Sequence, residues 1–268
     1  MRLCLNCSQS VVVKSSIAKC QQIIYYRVPK SGSTTMGEVL KLQAKAAHYR
    51  YIWITWFQYI INQTERELYL KRISTVKNHR FVLVSHHYFF DFNKYLDGSL
   101  SYINVIREPI LWFMSAYSYF RTQSKHFRNK WWNNRQTEKC VFDLQCVNYI
   151  VNTFGAVKFL CGSSDICNNS MSESAVQFAK IHVENNYLIV GITEEMDTFK
   201  LLLETLLPDM FSNLTNRTAR IPRRNITMHK ARKTKKVEHI LQSLLRYEID
   251  LYQFVKSRFH RFKKAVLN

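Results

Sequence analysis

Short apolar runs separated by amphipathic stretches dominate the pattern along the chain. Four of the runs predict buried strands, because they are rich in β-branched and aromatic residues and stop at turn-forming or polar residues. They cover residues 22–28, 81–85, 102–106 and 187–192. Strands that are apolar throughout, and so buried on both faces, are typical of a parallel sheet.

Helical segments follow three of these predicted strands. Residues 35–47 predict a helix with Ser33 or Thr34 as its N-cap, and Pro109 begins a second helix that runs to about residue 121. An acidic start leads into a third helix over residues 194–206. This alternation predicts an α/β fold, a P-loop-like three-layer sandwich with a central parallel sheet flanked by helices.

Two basic stretches, residues 120–139 and 213–236, break the alternation and lack a clean period. Connections of that length are usually functional or disordered. Residues 237–264 return to helical spacing and predict a docked C-terminal helix. We expect residues 21–268 to form a single domain, preceded by an uncertain N-terminal segment at residues 1–20.

The charge balance narrows the class of partner. Lys and Arg number 39 against 19 Asp and Glu, which gives a net charge of +20. An excess of this size attracts polyanions, so nucleic acid, anionic lipid and acidic polysaccharide are all candidates, beside a passive basic surface. A hydrophobic content of 47% is enough for a full core and argues against global disorder.

Seven cysteines include two close pairs, Cys140 with Cys146 and Cys161 with Cys167. Neither pair has the spacing of a zinc site. Short local disulfides in an oxidising compartment are one interpretation, and four buried thiols are the other. Six N-x-[ST] sequons favour the first, because N-glycosylation belongs to the secretory pathway. They begin at Asn6, Asn62, Asn168, Asn213, Asn216 and Asn225.

The N-terminal residues do not match this secretory interpretation. Residues 1–14 are too polar for a good signal peptide, and nothing along the chain approaches the roughly 20 apolar residues of a spanning helix. We expect either a membrane anchor upstream in a longer product or a wrongly assigned start.

The loop after the first strand carries the most informative chemistry, in the order Lys30-Ser31-Gly32-Ser33-Thr34. Backbone N–H groups at a helix N-terminus point toward an anion, Gly32 lets the backbone approach closely, and Lys30 adds a mobile positive charge. A Walker loop has its lysine directly after the second glycine, whereas Lys30 precedes the single glycine here. The loop therefore predicts an anion site of another kind, with an ordinary turn as the alternative.

Two further groups follow strands at the same predicted sheet edge. Arg107 comes directly after the third strand and Ser115 lies two turns along the next helix, so both are placed to contact one phosphate. The alternative for Arg107 is a surface pair with Glu108. His86 and His87 end the second strand, and histidine is the usual general base near neutral pH. Because side chains alternate along an extended chain, we expect only one of the two to face the site.

Together these motifs resemble those of the glycosaminoglycan uronyl 2-O-sulfotransferases, the group that contains the heparan sulfate enzyme and the dermatan/chondroitin uronyl enzyme. The resemblance runs from about residue 24 almost to the C-terminus, and its last motif is closer to the uronyl enzyme. The motifs are YYRVPKSGSTT, SHHYFFDF, YINVIREP, FLCGSSDIC, YLIVGITEEM and RYEIDLYQFVKSRFHRFKK. The chain departs from the family at Trp112, where the resembling enzymes carry arginine.

The resemblance implies 3′-phosphoadenosine 5′-phosphosulfate as the sulfuryl donor, and no metal. It implies His86 as the catalytic base and Lys30 as the residue that stabilises charge on the leaving nucleotide. It also implies a disulfide within each cysteine pair. The implied donor-binding residues are Arg27, Lys30, Ser31, Gly32, Ser33, Thr34, Arg107, Ser115, Arg232, Lys233 and Thr234.

The same resemblance implies an anionic glycosaminoglycan acceptor and a type II membrane glycoprotein of the Golgi lumen, and it leaves a homo-oligomer open. A basic lip is placed to contact the carboxylates and sulfates of such an acceptor, although a solvated loop is the alternative. Its residues are Arg121, Lys125, Arg128 and Arg135.

Three rival functions remain for comparison. A P-loop nucleotide kinase needs a lysine after the last loop glycine and an acidic magnesium site, and the sequence contains neither. A catalytically weak or inactive relative would keep the polyanion binding without the turnover. A nucleic-acid binder fits the charge, but no known module is present and the sequons argue against it.

Overall fold

The structure is a computed structural model that describes residues 22–54, 60–76, 79–95, 100–123, 137–221 and 233–267. Five parallel strands form the sheet of these residues: β1 Gln22–Tyr26, β2 Arg50–Ile54, β3 Phe81–Ser85, β4 Leu100–Ile106 and β5 Tyr187–Ile192. Their order is β2-β3-β1-β4-β5, and every neighbouring pair is parallel. Because β3 and β4 flank β1 on opposite sides, a ligand crevice is expected outside the carboxyl end of β1.

Helices occupy most of the remaining described chain. Before the second basic stretch they are α1 Ser33–Ala46, α2 Gln63–Val76, α3 Pro109–Gln123, α4 Thr137–Phe142, α5 Leu144–Phe154, α6 Ala156–Cys161, α7 Glu173–Asn185, α8 Met196–Leu206, α9 Pro208–Phe211 and α10 Leu214–Thr218. After it come α11 Lys235–Leu244 and α12 Arg246–Leu267. The predicted α/β architecture, a central parallel sheet flanked by helices, is confirmed.

The four strands predicted from the apolar runs are all present, with ends that move by two residues at most. β2 was missed. It is an edge strand whose five residues are mostly half-buried or exposed, so it lacks the continuous apolar run of the central strands. β1, β3, β4 and β5 are buried along almost their whole length, as expected of strands covered on both faces.

Two hydrophobic clusters stabilise the fold. The larger surrounds the sheet and includes the strand residues together with the inner faces of α1, α7, α8 and α12. The smaller lies between α3, α4, α5 and α11, and its members include Trp112, Phe113, Val147 and Leu241. The helix that follows β4 therefore connects the sheet to a second core.

Three local expectations need correction. The residue before α1 is Gly32 in the left-handed conformation, without a side-chain cap, so neither Ser33 nor Thr34 is the N-cap. The predicted C-terminal helix is divided at Leu245 into α11 and α12. The first basic stretch is also partly helical, because α3 extends into it and α4 closes it.

Both cysteine pairs are disulfides, so the interpretation as four free thiols is wrong. Cys140–Cys146 joins α4 to α5, and Cys161–Cys167 joins the end of α6 to the short 3₁₀ turn that follows. Within the described residues, no helix is both long enough and apolar enough to cross a membrane.

Candidate functional site

The predicted site residues emerge at the carboxyl edge of three neighbouring strands. β1 pairs with β3 so that Tyr26 lies opposite Ser85, and the next backbone N–H, that of Arg27, donates to the carbonyl of Ser85 at 2.7 Å. Arg27 and His86 therefore leave the sheet side by side. Arg107 follows β4 on the other side of β1.

The loop between β1 and α1 has an unusual backbone. Lys30 and Gly32 both have positive φ angles, of 63° and 69°. A side chain at Gly32 would be strained by this angle, and its Cβ would lie 3.2 Å from the terminal methyl of Met196. The glycine is thus favoured by the conformation and by the close approach of the β5–α8 turn. The N–H of Met36 donates to the carbonyl of Gly32 and closes the first helical turn.

This loop brings positive charge and spare hydrogen-bond donors together. Burial lowers the pKa of Lys30, and the nearby charge of Arg107 lowers it further. An Arg107 N–H lies 3.4 Å from the carbonyl oxygen of Lys30. Among the described residues, the hydroxyl of Ser31 and the Nε of Arg27 are buried without a partner. Two neighbouring cations and unpaired donors at a helix N-terminus fit a bound anion such as a phosphate.

The helix that follows Arg107 supports the loop from one side. The indole N–H of Trp112 donates to the carbonyl of Pro29 at 3.0 Å, and Trp112 is only 2% exposed. The ammonium of Lys30 lies over the ring of Tyr119, 4.3 Å from its centroid. Both aromatic residues belong to α3, so this helix contacts the backbone of the loop as well as its lysine.

Arg27 connects the loop to the histidine. Its guanidinium lies 2.8 Å from Nε2 of His86, donates to the hydroxyl of Thr34 at 3.0 Å, and stacks 4.5 Å from the ring of Trp53. A guanidinium has no acceptor atom, so Nε2 must carry the lone pair and Nδ1 the hydrogen. The His86 ring also donates a hydrogen bond to the backbone of Ile54, which raises its pKa and agrees with this tautomer.

Burial lowers the pKa of His86 to about 4, and the positive charge of Arg27 contributes to the shift. His86 is therefore neutral at physiological pH, with a lone pair on Nε2 that is able to accept a proton. The ring also packs edge-on against Trp53, with the centroids 5.6 Å apart.

His87 has different surroundings from His86. It is fully buried, and its Nδ1 lies 2.7 Å from the hydroxyl of Tyr69 and 2.6 Å from the hydroxyl of Ser85. Burial lowers its pKa to about 4 as well. These contacts make His87 part of the packing between β3 and α2, whereas His86 contacts the loop.

The Arg-Glu-Pro motif starts α3. The carboxylate of Glu108 accepts the N–H groups of Ile110 and Leu111, at 3.2 and 2.7 Å, and so caps the helix that begins at Pro109. Glu194 in turn accepts the N–H of Glu108 at 3.1 Å. Ser115 lies half-buried two turns along the helix.

The remaining predicted residues lie farther along the chain. Thr234 caps α11 by accepting the N–H of Val237 at 3.2 Å, and Lys233 pairs with Glu238 at 2.8 Å. Arg121 belongs to the last turns of α3. The predictions for Lys125, Arg128, Arg135 and Arg232 lie outside the described residues.

Sequence reasoning missed three aromatic residues of the site. Trp53 belongs to β2, the strand that the apolar pattern did not reveal, and its alternation with Tyr51 was the available signal. Trp112 and Tyr119 lie seven residues apart on the predicted helix, a spacing that places both on one face but does not show what that face contacts.

An α/β fold with a cationic loop after β1 and a histidine beside that loop is compatible with an enzyme that binds an anionic group at the carboxyl edge of its sheet. Residues 14–255 match the model of the Sulfotransferase family, and the chain belongs to that family. Family membership favours neither the nucleotide-kinase nor the nucleic-acid interpretation.

Several named relatives align over most of the chain. It is 28% identical to uronyl 2-sulfotransferase of Homo sapiens, over 91% of the chain and 63% of that protein, and 27% identical to its Mus musculus counterpart. It is 32% identical to heparan sulfate 2-O-sulfotransferase 1 of Homo sapiens, over 88% of the chain and 70% of that protein. The chain thus spans a little under two thirds of the length of the uronyl enzymes.

Proposed function

We propose that the chain transfers a sulfuryl group from 3′-phosphoadenosine 5′-phosphosulfate to the 2-hydroxyl of uronic acid residues in a glycosaminoglycan. The observation that carries this proposal is the meeting of the Lys30 loop and His86 at the carboxyl edge of β1 and β3, joined through Arg27. The relatives whose names specify uronyl or heparan sulfate 2-sulfation support it.

The donor residues divide between the two strands that flank the crevice. Lys30, Ser31, Gly32, Ser33 and Thr34 would hold the 5′-phosphosulfate through backbone N–H groups, hydroxyls and the ammonium group. Arg107 and Ser115 would hold the 3′-phosphate from the start of α3. Burial and the charge of Arg107 both lower the pKa of Lys30, and an anion between the two side chains would offset the second effect.

In the proposed reaction, the 2-hydroxyl oxygen bonds to sulfur, the bond from sulfur to the leaving phosphate oxygen breaks, and the hydroxyl proton passes to Nε2 of His86. The depressed pKa keeps His86 unprotonated and ready to accept this proton. Arg27 has to release its hydrogen bond to Nε2 at that point. Lys30 stabilises the negative charge that grows on the leaving phosphate.

The acceptor and the cellular setting complete the proposal. An anionic glycosaminoglycan fits the net charge of +20, and the lip of Arg121, Lys125, Arg128 and Arg135 would contact it. Two disulfides suit an oxidising compartment, which is consistent with a glycoprotein held in the Golgi lumen by a type II anchor. The asparagines of four sequons are exposed, at Asn62, Asn168, Asn213 and Asn216.

Transfer of radiolabelled sulfate to desulfated heparan, dermatan and chondroitin tests the proposal. His86→Ala should lower turnover by roughly 10² to 10⁴-fold, the usual contribution of a general base. It should still bind 3′-phosphoadenosine 5′-phosphate, measured by calorimetry. Lys30→Ala should lose both turnover and nucleotide affinity.

Two exposed positions supply matched controls, His79→Ala and Lys41→Ala, which should both behave as wild type. Undiminished turnover in His86→Ala would remove the base assignment. A wild-type chain that binds heparin but neither binds the nucleotide nor transfers sulfate would instead be an inactive polyanion-binding relative.

A further inference from the structure

The conformation of Lys30 has a cost that its surroundings must offset. A left-handed φ of 63° is rare for a residue with a side chain, and such angles persist only where neighbouring groups fix them. The φ and ψ angles of a residue are set by the two peptide planes on either side of its Cα. Here those planes carry the carbonyls of Pro29 and Lys30.

Both carbonyls are bound by side chains, one from Arg107 just before α3 and one from the first turn of α3. The Trp112 indole donates to Pro29 O at 3.0 Å, and Arg107 lies 3.4 Å from Lys30 O. The shorter bond comes from a residue that is nearly fully buried and belongs to the second hydrophobic cluster. Arg107 is half-exposed, and in the proposed function it also holds a phosphate. Trp112 is therefore the fixed support, since its rigid indole has one donor and that donor is in use.

The lysine side chain is supported from the same helix. Tyr119 lies seven residues after Trp112, which places both on one face of α3 two turns apart. The ammonium of Lys30 rests over the Tyr119 ring. Helix α3 thus contacts Lys30 at the preceding peptide plane and at the end of the side chain.

We propose that Trp112 is a positioning residue for sulfuryl transfer, because its indole N–H fixes the peptide before Lys30 and so aims the lysine at the leaving phosphate. This inference rests on the proposed function. Without the N–H, the peptide plane gains freedom and the ammonium spends less time where charge develops in the transition state.

Replacing Trp112 by benzothienylalanine tests the inference, because this residue keeps the shape of the indole and has sulfur in place of the N–H. Trp112→Phe is a second variant with standard chemistry. Leu111→Ala is the matched control, because Leu111 is exposed and lies one position earlier on the same helix. All three are compared with wild type for thermal unfolding, for the kinetic constants of donor and acceptor, and for affinity toward 3′-phosphoadenosine 5′-phosphate.

The benzothienyl variant should keep the wild-type unfolding midpoint and acceptor KM, while kcat/KM for the donor falls by about fivefold to tenfold, the loss expected for one neutral hydrogen bond. Leu111→Ala should match wild type. A benzothienyl variant with donor kcat/KM within twofold of wild type overturns the inference, and so does a change confined to the acceptor KM with kcat unchanged. A wild-type protein that neither binds the nucleotide nor turns over refutes the proposed function instead, and the inference falls with it.

Discussion

Arg27 links several residues of the candidate site. It is 6% exposed, and it contacts His86, Thr34 and Trp53 at once. A buried cation against Nε2 disfavours a second positive charge on the imidazole, which adds to the effect of burial on the pKa of His86. The same arginine therefore holds the His86 ring in place and, together with burial, keeps it unprotonated.

The pH dependence of turnover should report this arrangement. With a His86 pKa of about 4, kcat/KM of the wild type should stay constant as the pH falls to about 5 and decline only below that. Arg27→Gln removes the charge and retains a donor, so the His86 pKa should rise and the acidic limb should move up by roughly one pH unit. pH–rate profiles of both proteins measure the shift.

Lys41→Gln, an exposed substitution on the outer face of α1, removes the same unit of charge away from the site and serves as the control. Its acidic limb should coincide with that of the wild type. An acidic limb that stays in place in Arg27→Gln would show that Arg27 does not set the protonation of the base, whatever the loss of rate.

The site residues that could be predicted from sequence are those whose role depends on local order. Lys30 and Gly32 lie in one loop, and Arg107 and His86 each follow a recognisable buried strand. Trp112 could not be assigned, because its bond to Pro29 joins positions 83 residues apart and no periodic pattern encodes it. Contacts of that kind depend on how helices pack on the sheet.

At the scale of elements, the junction of α5, α6 and α12 shows how the C-terminal helix is anchored. Glu248, in the first turn of α12, is 3% exposed. Its carboxylate accepts the N–H groups of Ala156 and Val157 at 2.9 and 3.1 Å, the first two of α6. Gly155 lies directly against this carboxylate. A side chain from one end of the chain thus caps a helix that starts 92 residues earlier.

This buried acid should make stability depend on pH. Burial raises the Glu248 pKa to about 7, and the two N–H donors only partly oppose the shift. A raised folded-state pKa means that the stabilising contribution is complete below about pH 4.5 and is lost as the pH rises to about 7. The loss should be on the order of 3 kcal/mol.

Urea unfolding at about pH 5 and pH 7.5 measures this loss, and Glu248→Gln should reduce the difference between the two pH values. Glu67→Gln alters an exposed glutamate and should leave the wild-type difference unchanged. A Glu248→Gln protein with the same pH dependence as wild type would assign the effect to other groups.

Gly155→Ala tests the same junction by steric means. A Cβ at this position would overlap the Glu248 carboxylate and lie 2.6 Å from the carbonyl of Val151. Backbone strain is not involved, since the φ of Gly155 is −64°. We expect a loss of roughly 2 kcal/mol in the free energy of unfolding, typical of overpacking in a core. An unchanged unfolding midpoint would mean that α12 shifts without cost.

Elements were predictable from sequence in proportion to their burial. β3 and β5 could be bounded to the residue because each is a short apolar run between polar residues. β2 could not, because an edge strand is stabilised by pairing on one side and needs no apolar run. The division of the C-terminal helix at Leu245 was also hidden, since the apolar spacing continues through the break while the helices pack against different clusters.

At the scale of the whole molecule, the charge balance is strongly positive. Lys and Arg number 39 against 19 Asp and Glu, which gives a net charge of +20. Acidic residues that accept backbone N–H groups do not change this balance, and Glu194, which accepts the N–H of Glu108, is itself exposed. An excess of this size predicts that attraction of polyanions is a property of the molecule as well as of one site.

Heparin binding should separate this general attraction from catalysis. Each protein is bound to immobilised heparin and eluted with NaCl, and affinity should fall steeply between about 0.1 M and 0.5 M salt because the contacts are between solvent-exposed charges. Lys30→Ala removes one charge of a net +20, so it should elute close to the wild type. The same variant should lose sulfate transfer, because the ammonium that it lacks is proposed to act on the leaving phosphate.

Elution of Lys30→Ala at much lower salt than the exposed control Lys41→Ala would place the polyanion on the loop itself. The anion loop would then belong to the acceptor, and the donor would have to bind elsewhere along the carboxyl edge of the sheet.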